Sequence, residues 1–342
     1  MMMPFAALYG GAVTVRGSLY ERGWLRTGRI PIPVISVGNL TAGGSGKSPM
    51  AGWIAASLSK RGFAPAIVSR GYGGSHTGPA TLVSSGSGPL VDARTAGDEP
   101  VMLARQLEGV PIVVSHQRMQ GAAVAIASCG ARCIVLDDGF QHRAIHRDLD
   151  LLLFDGADPI GNGRLLPAGP LREPLAAIGR AHAVIVTRAD RADPSRRSSL
   201  AGIVARHAPG IPLFAARATP ADLLAQDGRV HPLATLRGAR VVAFAGIARP
   251  DVFFEDLRAL GAVVVSALRF PDHHRYSGDD RTRIAAAAID GSAEWILTTE
   301  KDMARLGAGR EGAALPGLGA IRLRINVEEE NALLAMIEGV LV

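Results

Sequence analysis

The run TAGGSGKS, Thr41 to Ser48, packs Gly43, Gly44 and Gly46 immediately ahead of Lys47 and Ser48. Glycines at this density let a backbone curl until its N–H groups converge, and a helix starting there adds partial positive charge. A lysine at the end of such a loop reaches a β- or γ-phosphate, and the hydroxyl beside it can bind Mg²⁺. Thr41, Ala42, Gly43, Gly44, Ser45, Gly46, Lys47 and Ser48 are therefore expected to hold the phosphates of a nucleotide. The common spacing has glycine where this chain has Thr41, so a glycine-rich turn capping an ordinary helix is the plainer alternative. The apolar run CIVLDDGFQHR ends in Asp137 and Asp138. An acid at the C-terminal end of a strand beside such a loop binds Mg²⁺ directly or through water, although DDG also forms a turn.

Three further strings carry reactive side chains. Asp98 and Glu99, in GDEP (Gly97 to Pro100), precede an apolar helix and could simply stabilise its N-terminus. FPDHHRY (Phe270 to Tyr276) holds adjacent histidines in a loop; they point in different directions, so at most one is expected in chemistry. LREP (Leu171 to Pro174) offers Arg172 and Glu173 either to a polar substrate or to each other.

The elements around these strings alternate. Pro31 to Gly38 is β-branched and apolar, and reads as a buried strand. Met50, Trp53, Ile54 and Leu58 recur at helical spacing after the glycines. Further strands are expected at 64–69, 111–115, 132–136, 149–155 and 183–187, with a helix over 117–128 and long loops over 71–88 and 156–174. This rhythm indicates an α/β fold with a parallel sheet and crossover helices. Around 214–238 the pattern breaks into short pieces with a turn at Asp227–Gly228, which marks a hinge of two strands. A second α/β block follows, with strands near 241–245, 262–267, 295–298 and 321–325. The expected division is 1–30, 31–213, a hinge at 214–238, and a smaller C-terminal unit at 239–342.

The length of 342 residues allows about two domains. Cys129 and Cys133 alone make no disulfide framework or zinc site and fit a reducing compartment. Lysine and arginine (37) exceed the acids (31), giving a net charge of +6, yet aromatics are 5% and no basic run is interleaved with them. That weakens nucleic acid as a partner. Residues 1–30 mix Leu19, Tyr20, Trp24 and Leu25 with Arg16, Arg22, Arg26 and Arg29. They are too short and glycine-rich to span a bilayer and lack a signal-peptide pattern. Two readings stand side by side: a segment lying in a membrane interface, or a helix packed on the core with a solvated arginine face.

Taken in order, GN-x-T-x-GG-S-GK-S-P, SRGYGG (Ser69 to Gly74), GDEP, DDG-x-QH, LREP, FPDHH and TEKD (Thr299 to Asp302) resemble the tetraacyldisaccharide 4′-kinase family, the lipid A 4′-kinases, from about Val37 to Asp302. That family has threonine at the place of Thr41. Ser45 and Ser48 in place of threonine, and Phe140, depart from its pattern but keep the chemistry. The resemblance implies a peripheral kinase on the cytoplasmic face of the bacterial inner membrane. It would move the γ-phosphate of ATP, with Mg²⁺, to the 4′-hydroxyl of a tetraacylated disaccharide 1-phosphate. It implies a P-loop core and a smaller C-terminal domain on a two-stranded hinge, with the site in the cleft. Residue by residue, it assigns Asp98 as base paired with His273, Lys47 and Ser48 to phosphates and metal, and Asp137 and Asp138 to the metal. It leaves Arg70, His142, Arg172 and Glu173 to the acceptor. Neither nucleic acid nor an obligate protein partner is implied. Two rivals remain. One is a GTPase, since Thr187-Arg188-Ala189-Asp190 mimics a guanine-reading [NT]-K-x-D with Arg for Lys. The other is a nucleotide-gated membrane adaptor.

Overall fold

The computed structural model describes residues 2–307 and 313–341. The chain runs α1 (Met3–Glu21), β1 (Val34–Asn39), α2 (Lys47–Lys60), β2 (Pro65–Ser69), β3 (Thr81–Ser84), α3 (Ala93–Ala96), α4 (Asp98–Gln106), β4 (Ile112–Val114), α5 (Arg118–Cys129), β5 (Cys133–Asp137), β6 (Leu149–Asp155), β7 (Ala183–Thr187) and α6 (Pro194–His207). Strands β7, β6, β1, β5, β2 and β4 lie side by side and parallel, and β3 closes the edge antiparallel to β4. All six parallel strands are buried along their length, because helices cover both faces. Alternate residues of β5 show the two faces. Cys133 and Val135 pack with Met50, Ile54 and Leu58 of α2, while Ile134 and Leu136 pack with Ala122 and Ala125 of α5.

After α6 come β8 (Leu213–Ala225) and β9 (Val230–His231). A second lobe follows: β10 (Arg240–Ala245), α7 (Pro250–Ala259), β11 (Val263–Arg269), α8 (Gly278–Asp290), β12 (Trp295–Thr299), α9 (Glu300–Leu306), β13 (Leu318–Val327) and α10 (Glu330–Glu338). Its parallel strands are ordered β11, β10, β12, β13. One long strand joins the lobes. Leu213 to Ala215 of β8 pair parallel with β7, and Ala216 to Ala225 pair antiparallel with β13. The two-stranded connection is therefore β8 with β13, not a ribbon contained in 214–238. The turn at Asp227–Gly228 makes only a short hairpin, in which β9 pairs with β8.

The expected unit 239–342 also needs correction at its end. Because β13 returns the chain along the ribbon, α10 buries Leu333, Leu334 and Ile337 in the core of the first lobe, beside Met50 and Ile54.

Helix α1 keeps little of itself in the core. Ala6 is its one buried residue, whereas Met3, Phe5, Leu8 and Val15 are exposed, as are Trp24 and Leu25 after it. Polar contacts hold it down: Tyr9 donates its hydroxyl to the Arg172 carbonyl (2.9 Å), and Arg143 donates to the Gly17 carbonyl (3.1 Å). A helix packed by its apolar side with an arginine face to solvent is thus not what forms. No helix among the described residues is long and apolar enough to cross a membrane.

Candidate functional site

The glycine loop connects β1 to α2 and stays open to solvent at Ala42, Gly43 and Gly44. Gly43 (φ 111°) and Gly46 (φ 78°) adopt left-handed backbone, which only glycine enters without strain. Position 41 does not, so threonine fits there; its carbonyl and hydroxyl accept from Asn39 Nδ2 at 2.7 and 3.2 Å. Lys47 Nζ lies 3.4 Å from the Gly43 carbonyl and 3.8 Å from Asp138 Oδ1.

At the helix start, Ser48 Oγ lies 2.7 Å from Glu99 Oε2 and 2.9 Å from Asp137 Oδ2. One hydroxyl proton cannot serve both. Burial, reinforced by the charges of Glu99 and Asp138, pushes the Asp137 carboxyl up to about 7, so near neutrality it can supply the second proton itself. Asp138 behaves oppositely: burial raises it, but Lys47 and Arg172 outweigh burial and hold it below the usual range. Arg172 Nη1 donates to both of its oxygens, at 3.1 and 2.9 Å.

These oxygens suit a hard cation. Asp137 Oδ1 is buried without a partner, next to a serine hydroxyl and a second carboxylate. Among the described residues no group of three or more His, Cys, Asp or Glu converges on one point. Mg²⁺ held between one or two carboxylates and substrate phosphates needs no such cage.

The loop carrying LREP runs beside the glycine loop, with Ala42 donating to the Pro170 carbonyl and Arg172 to the Leu40 carbonyl, each at 2.7 Å. Its two charged residues part company. Arg172 faces Asp138, but both Glu173 oxygens accept from Arg180 (2.7 and 3.1 Å). Glu173 therefore anchors the loop and does not line the cleft. His142 is half-buried, and burial followed by the charges of Arg118, Arg147, Arg16 and Arg70 lowers it to about 4. It is neutral at physiological pH, in a strongly positive surround that includes the exposed Arg70.

The second lobe completes the cleft. His273 Nδ1 lies 3.0 Å from Asp98 Oδ2, across 175 residues of sequence. Its left-handed backbone (φ 58°) aims the ring at the first lobe, whereas His274 Nε2 turns to Asp280 Oδ2 at 2.9 Å. Burial would raise the Asp98 carboxyl, but the His273 hydrogen bond and the charges of Lys301 and Arg305 hold it well below the usual range. His273 is shifted upward, chiefly by the bond to Asp98 and against burial. A histidine raised in this way adds stability below its ordinary value of about 6.5 and loses it as pH rises through the raised one. The ring protons of His273, followed by NMR, should titrate above 6.5, and Asp98→Asn should bring the midpoint down. An unmoved midpoint would show the ring free of Asp98.

Residue type and spacing gave no role to four side chains found here. Glu99 joins Ser48 to Lys301 of α9. Arg118 is buried and donates to the Asp137 carbonyl (3.3 Å). Arg305 Nε donates to Asp98 Oδ2 at 2.9 Å. Lys301 stands in TEKD, which gave a signal; Arg118 and Arg305 are lone arginines in ordinary helices, and only the fold exposes them. Thr187 and Arg188 do not form a guanine reader. Thr187 donates to the Ser45 carbonyl (2.9 Å), and Arg188 donates to the Gly44 carbonyl (2.9 Å) and Asp155. Both brace the glycine loop.

The chain matches the family model "LpxK: Tetraacyldisaccharide-1-P 4'-kinase" over residues 1–342. It is 45% identical to the tetraacyldisaccharide 4′-kinase of Anaeromyxobacter sp. (strain K) over 320 residues, 93% of this chain and 84% of the relative. The enzyme of the same name from Syntrophus aciditrophicus (strain SB) is 42% identical, over 91% of this chain and 85% of its own. A crystal structure of LpxK from Aquifex aeolicus, an "apo" form in complex with ATP, superposes with a TM-score of 0.80 at 34% identity, covering 100% of this chain and 98% of that one. With a glycine loop, a strand-end acid pair and a cross-lobe Asp–His pair already in one cleft, the chain belongs to the LpxK family of tetraacyldisaccharide-1-P 4′-kinases.

Proposed function

We propose that this kinase transfers the γ-phosphate of ATP to the 4′-hydroxyl of a tetraacyldisaccharide 1-phosphate, giving the 4′-phosphorylated lipid A precursor and ADP. The observation that carries the reading is the position of two consecutive acids at the start of α4. Glu99 touches Ser48 on the nucleotide side, and Asp98 touches His273 on the other. A hydroxyl delivered to Asp98 thus meets a γ-phosphate held by the glycine loop. Phosphoryl transfer asks chiefly for positioning and charge neutralisation. The loop N–H groups and Lys47 stabilise the phosphate oxygens. Ser48, Asp137 and Asp138 would hold Mg²⁺, which neutralises charge on the β- and γ-phosphates when bound. As the acceptor oxygen bonds to phosphorus and the bond to the β-phosphate oxygen breaks, the hydroxyl proton passes to Asp98, with His273 orienting the carboxylate. Arg70 and neutral His142, with Arg172 beside Asp138, are the residues this reading leaves to the acceptor. The ribbon of β8 and β13 divides the nucleotide-binding core from a lobe that brings His273, and joining the two excludes water.

With γ-labelled ATP, label should appear on the lipid only when the disaccharide is supplied, and excess GTP should not suppress it. Label released solely as inorganic phosphate, or competition by GTP, would favour a GTPase or an adaptor.

The acceptor is a lipid, and α1 offers the surface to meet it. The exposed Phe5, Leu8, Val15 and Trp24 near Arg16 and Arg22 suit the interface of an anionic membrane, here the cytoplasmic face of the inner membrane. Replacing Phe5 and Leu8 with serine should weaken binding to anionic vesicles by about tenfold for each side chain, as expected for one apolar group withheld from burial. The KM for ATP should not change. Unaltered vesicle binding would make α1 a support for the Arg172 loop and nothing more.

A further inference from the structure

Asp98 receives more donors than a proton-accepting carboxylate needs. Its Oδ1 accepts the Glu99 backbone N–H at 2.9 Å, and its Oδ2 accepts from both His273 Nδ1 and Arg305 Nε. Arg305, on α9, is 6% exposed and is fixed from behind. Its Nη1 donates to the Gly246 carbonyl (2.8 Å) and to Asp302 Oδ1 (3.0 Å). Asp302 is wholly buried. The same Oδ1 also accepts Gly246 N–H (3.1 Å) and the Tyr276 hydroxyl (2.7 Å), while Oδ2 accepts the Thr299 hydroxyl (2.6 Å). Every member of this mount belongs to the second lobe, and Asp98 to the first. Arg305 Nη2 is buried without a partner. Since Nε and Nη2 share one edge of the planar fork, the unused donor faces the side on which Asp98 lies.

We propose that Arg305 is the positioning residue for Asp98, a guanidinium mounted on the second lobe that sets the carboxylate plane and leaves Oδ1 turned to the acceptor hydroxyl. The inference rests on the reading of Asp98 as the base. A carboxylate turns readily about its last torsion; the Glu99 N–H holds Oδ1 from its own helix, and the half-exposed His273 ring gives Oδ2 a single point of attachment. A second donor converging on the same oxygen fixes the plane. The arrangement weakens the base, because the groups facing Asp98 are His273 from the loop after β11, with Asp272 beside that ring, Lys301 and Arg305 from α9, and Glu99 on its own helix. Cations prevail among them. What is gained is geometry: a misplacement of about 1 Å can cost about 10²-fold in rate. Both donors, Arg305 and His273, come from the second lobe, so the orientation of Asp98 depends on the contact between the lobes.

The test compares pH–rate profiles of the full-length enzyme with Arg305→Met, Arg305→Lys, Tyr276→Phe and Asp98→Asn, using γ-labelled ATP and the lipid acceptor. Arg305→Met should lower kcat about 10²-fold, keep the KM for ATP within about threefold, and move the acidic limb of kcat to higher pH. Arg305→Lys should restore the limb, which follows charge, without restoring kcat, which needs the fork. Tyr276→Phe should lower kcat less, with KM unchanged; if Arg305→Met fails to fold, this variant and Arg305→Lys carry the test. A kcat within about threefold of wild type in Arg305→Met, an unmoved limb, or a loss shared with the KM for ATP overturns the inference. An inactive Asp98→Asn beside an unaffected Arg305→Met removes this inference alone. Wild-type kcat in Asp98→Asn removes the base assignment, and the inference with it.

Discussion

Replacing Lys47 with alanine is expected to lower kcat by about 10³-fold or more while the folded state survives. The protein contacts of the Lys47 ammonium are slight: a 3.4 Å approach to the Gly43 carbonyl and 3.8 Å to Asp138. Its work lies in the reaction, where negative charge moves along the transferring group. One preorganised donor in a water-poor site is worth about 10²–10³ in kcat, and a full cation at a phosphate exceeds a neutral donor. Asp138 also loses one of the three cations that hold its carboxyl down, Lys47, Arg172 and Arg118, so the neighbouring metal site weakens as well. Melting temperature and kcat measured on the same preparation decide the matter. A kcat near wild type at saturating Mg²⁺ would remove the glycine loop from the phosphate site. A collapsed melting temperature would show that Lys47 holds structure.

The second large effect concerns Asp98 with His273. Changing either to alanine should lower kcat by about 10²–10⁴-fold, the usual range for a positioned base, with little effect on the KM for ATP. The double variant should then cost no more than the worse single, because a carboxylate and the imidazole that orients it act as one unit. Independent contributions would add as free energies. His274 is the internal control. It bonds Asp280 at 2.9 Å and stacks on Phe270 with ring centroids 4.9 Å apart, so His274→Ala should act on the stability of α8 and leave kcat within a few-fold. Additive losses at Asp98 and His273, or a larger loss at His274, would dissolve the pair.

What the sequence disclosed follows how locally each feature is encoded. Strands β6 and β7 begin and end where their apolar runs do, at 149–155 and 183–187, because a strand buried on both faces writes itself as a continuous run. The edge strand β3 was hidden in a stretch rich in glycine and serine, since an edge buries less and has a weaker pattern. The strand β8 is half-exposed over much of its length and finds its main partner in β13, about a hundred residues later. No short window contains that pairing. In the site, the glycine loop and strand-end acids were legible because each is a local geometry. The spacing of Arg172 and Glu173 could not say which faces the cleft; Arg180, seven residues on, decides it by taking both Glu173 oxygens. Arg305 was invisible for a related reason: its meaning comes from Asp98, 207 positions earlier.

The return of α10 to the first lobe also sets an order of events during synthesis. Domains commonly fold from the N-terminus as they leave the ribosome, at about 5–20 residues per second. Here the nucleotide-binding core has all its strands from β1 to β7 long before it has Leu333, Leu334 and Ile337, which seal one face of it beside Met50 and Ile54. The stretch between the ribbon strands must be made first, a wait on the order of 5–20 s at that rate. Throughout that interval the nascent core carries an uncovered apolar patch, and the whole second lobe must fold as a loop closed at both ends by β8 and β13. Helix α10 is made after the second lobe yet finishes the first, so a nonsense mutation between Glu330 and Leu333 would damage the ATP-side core and leave the His273 lobe complete.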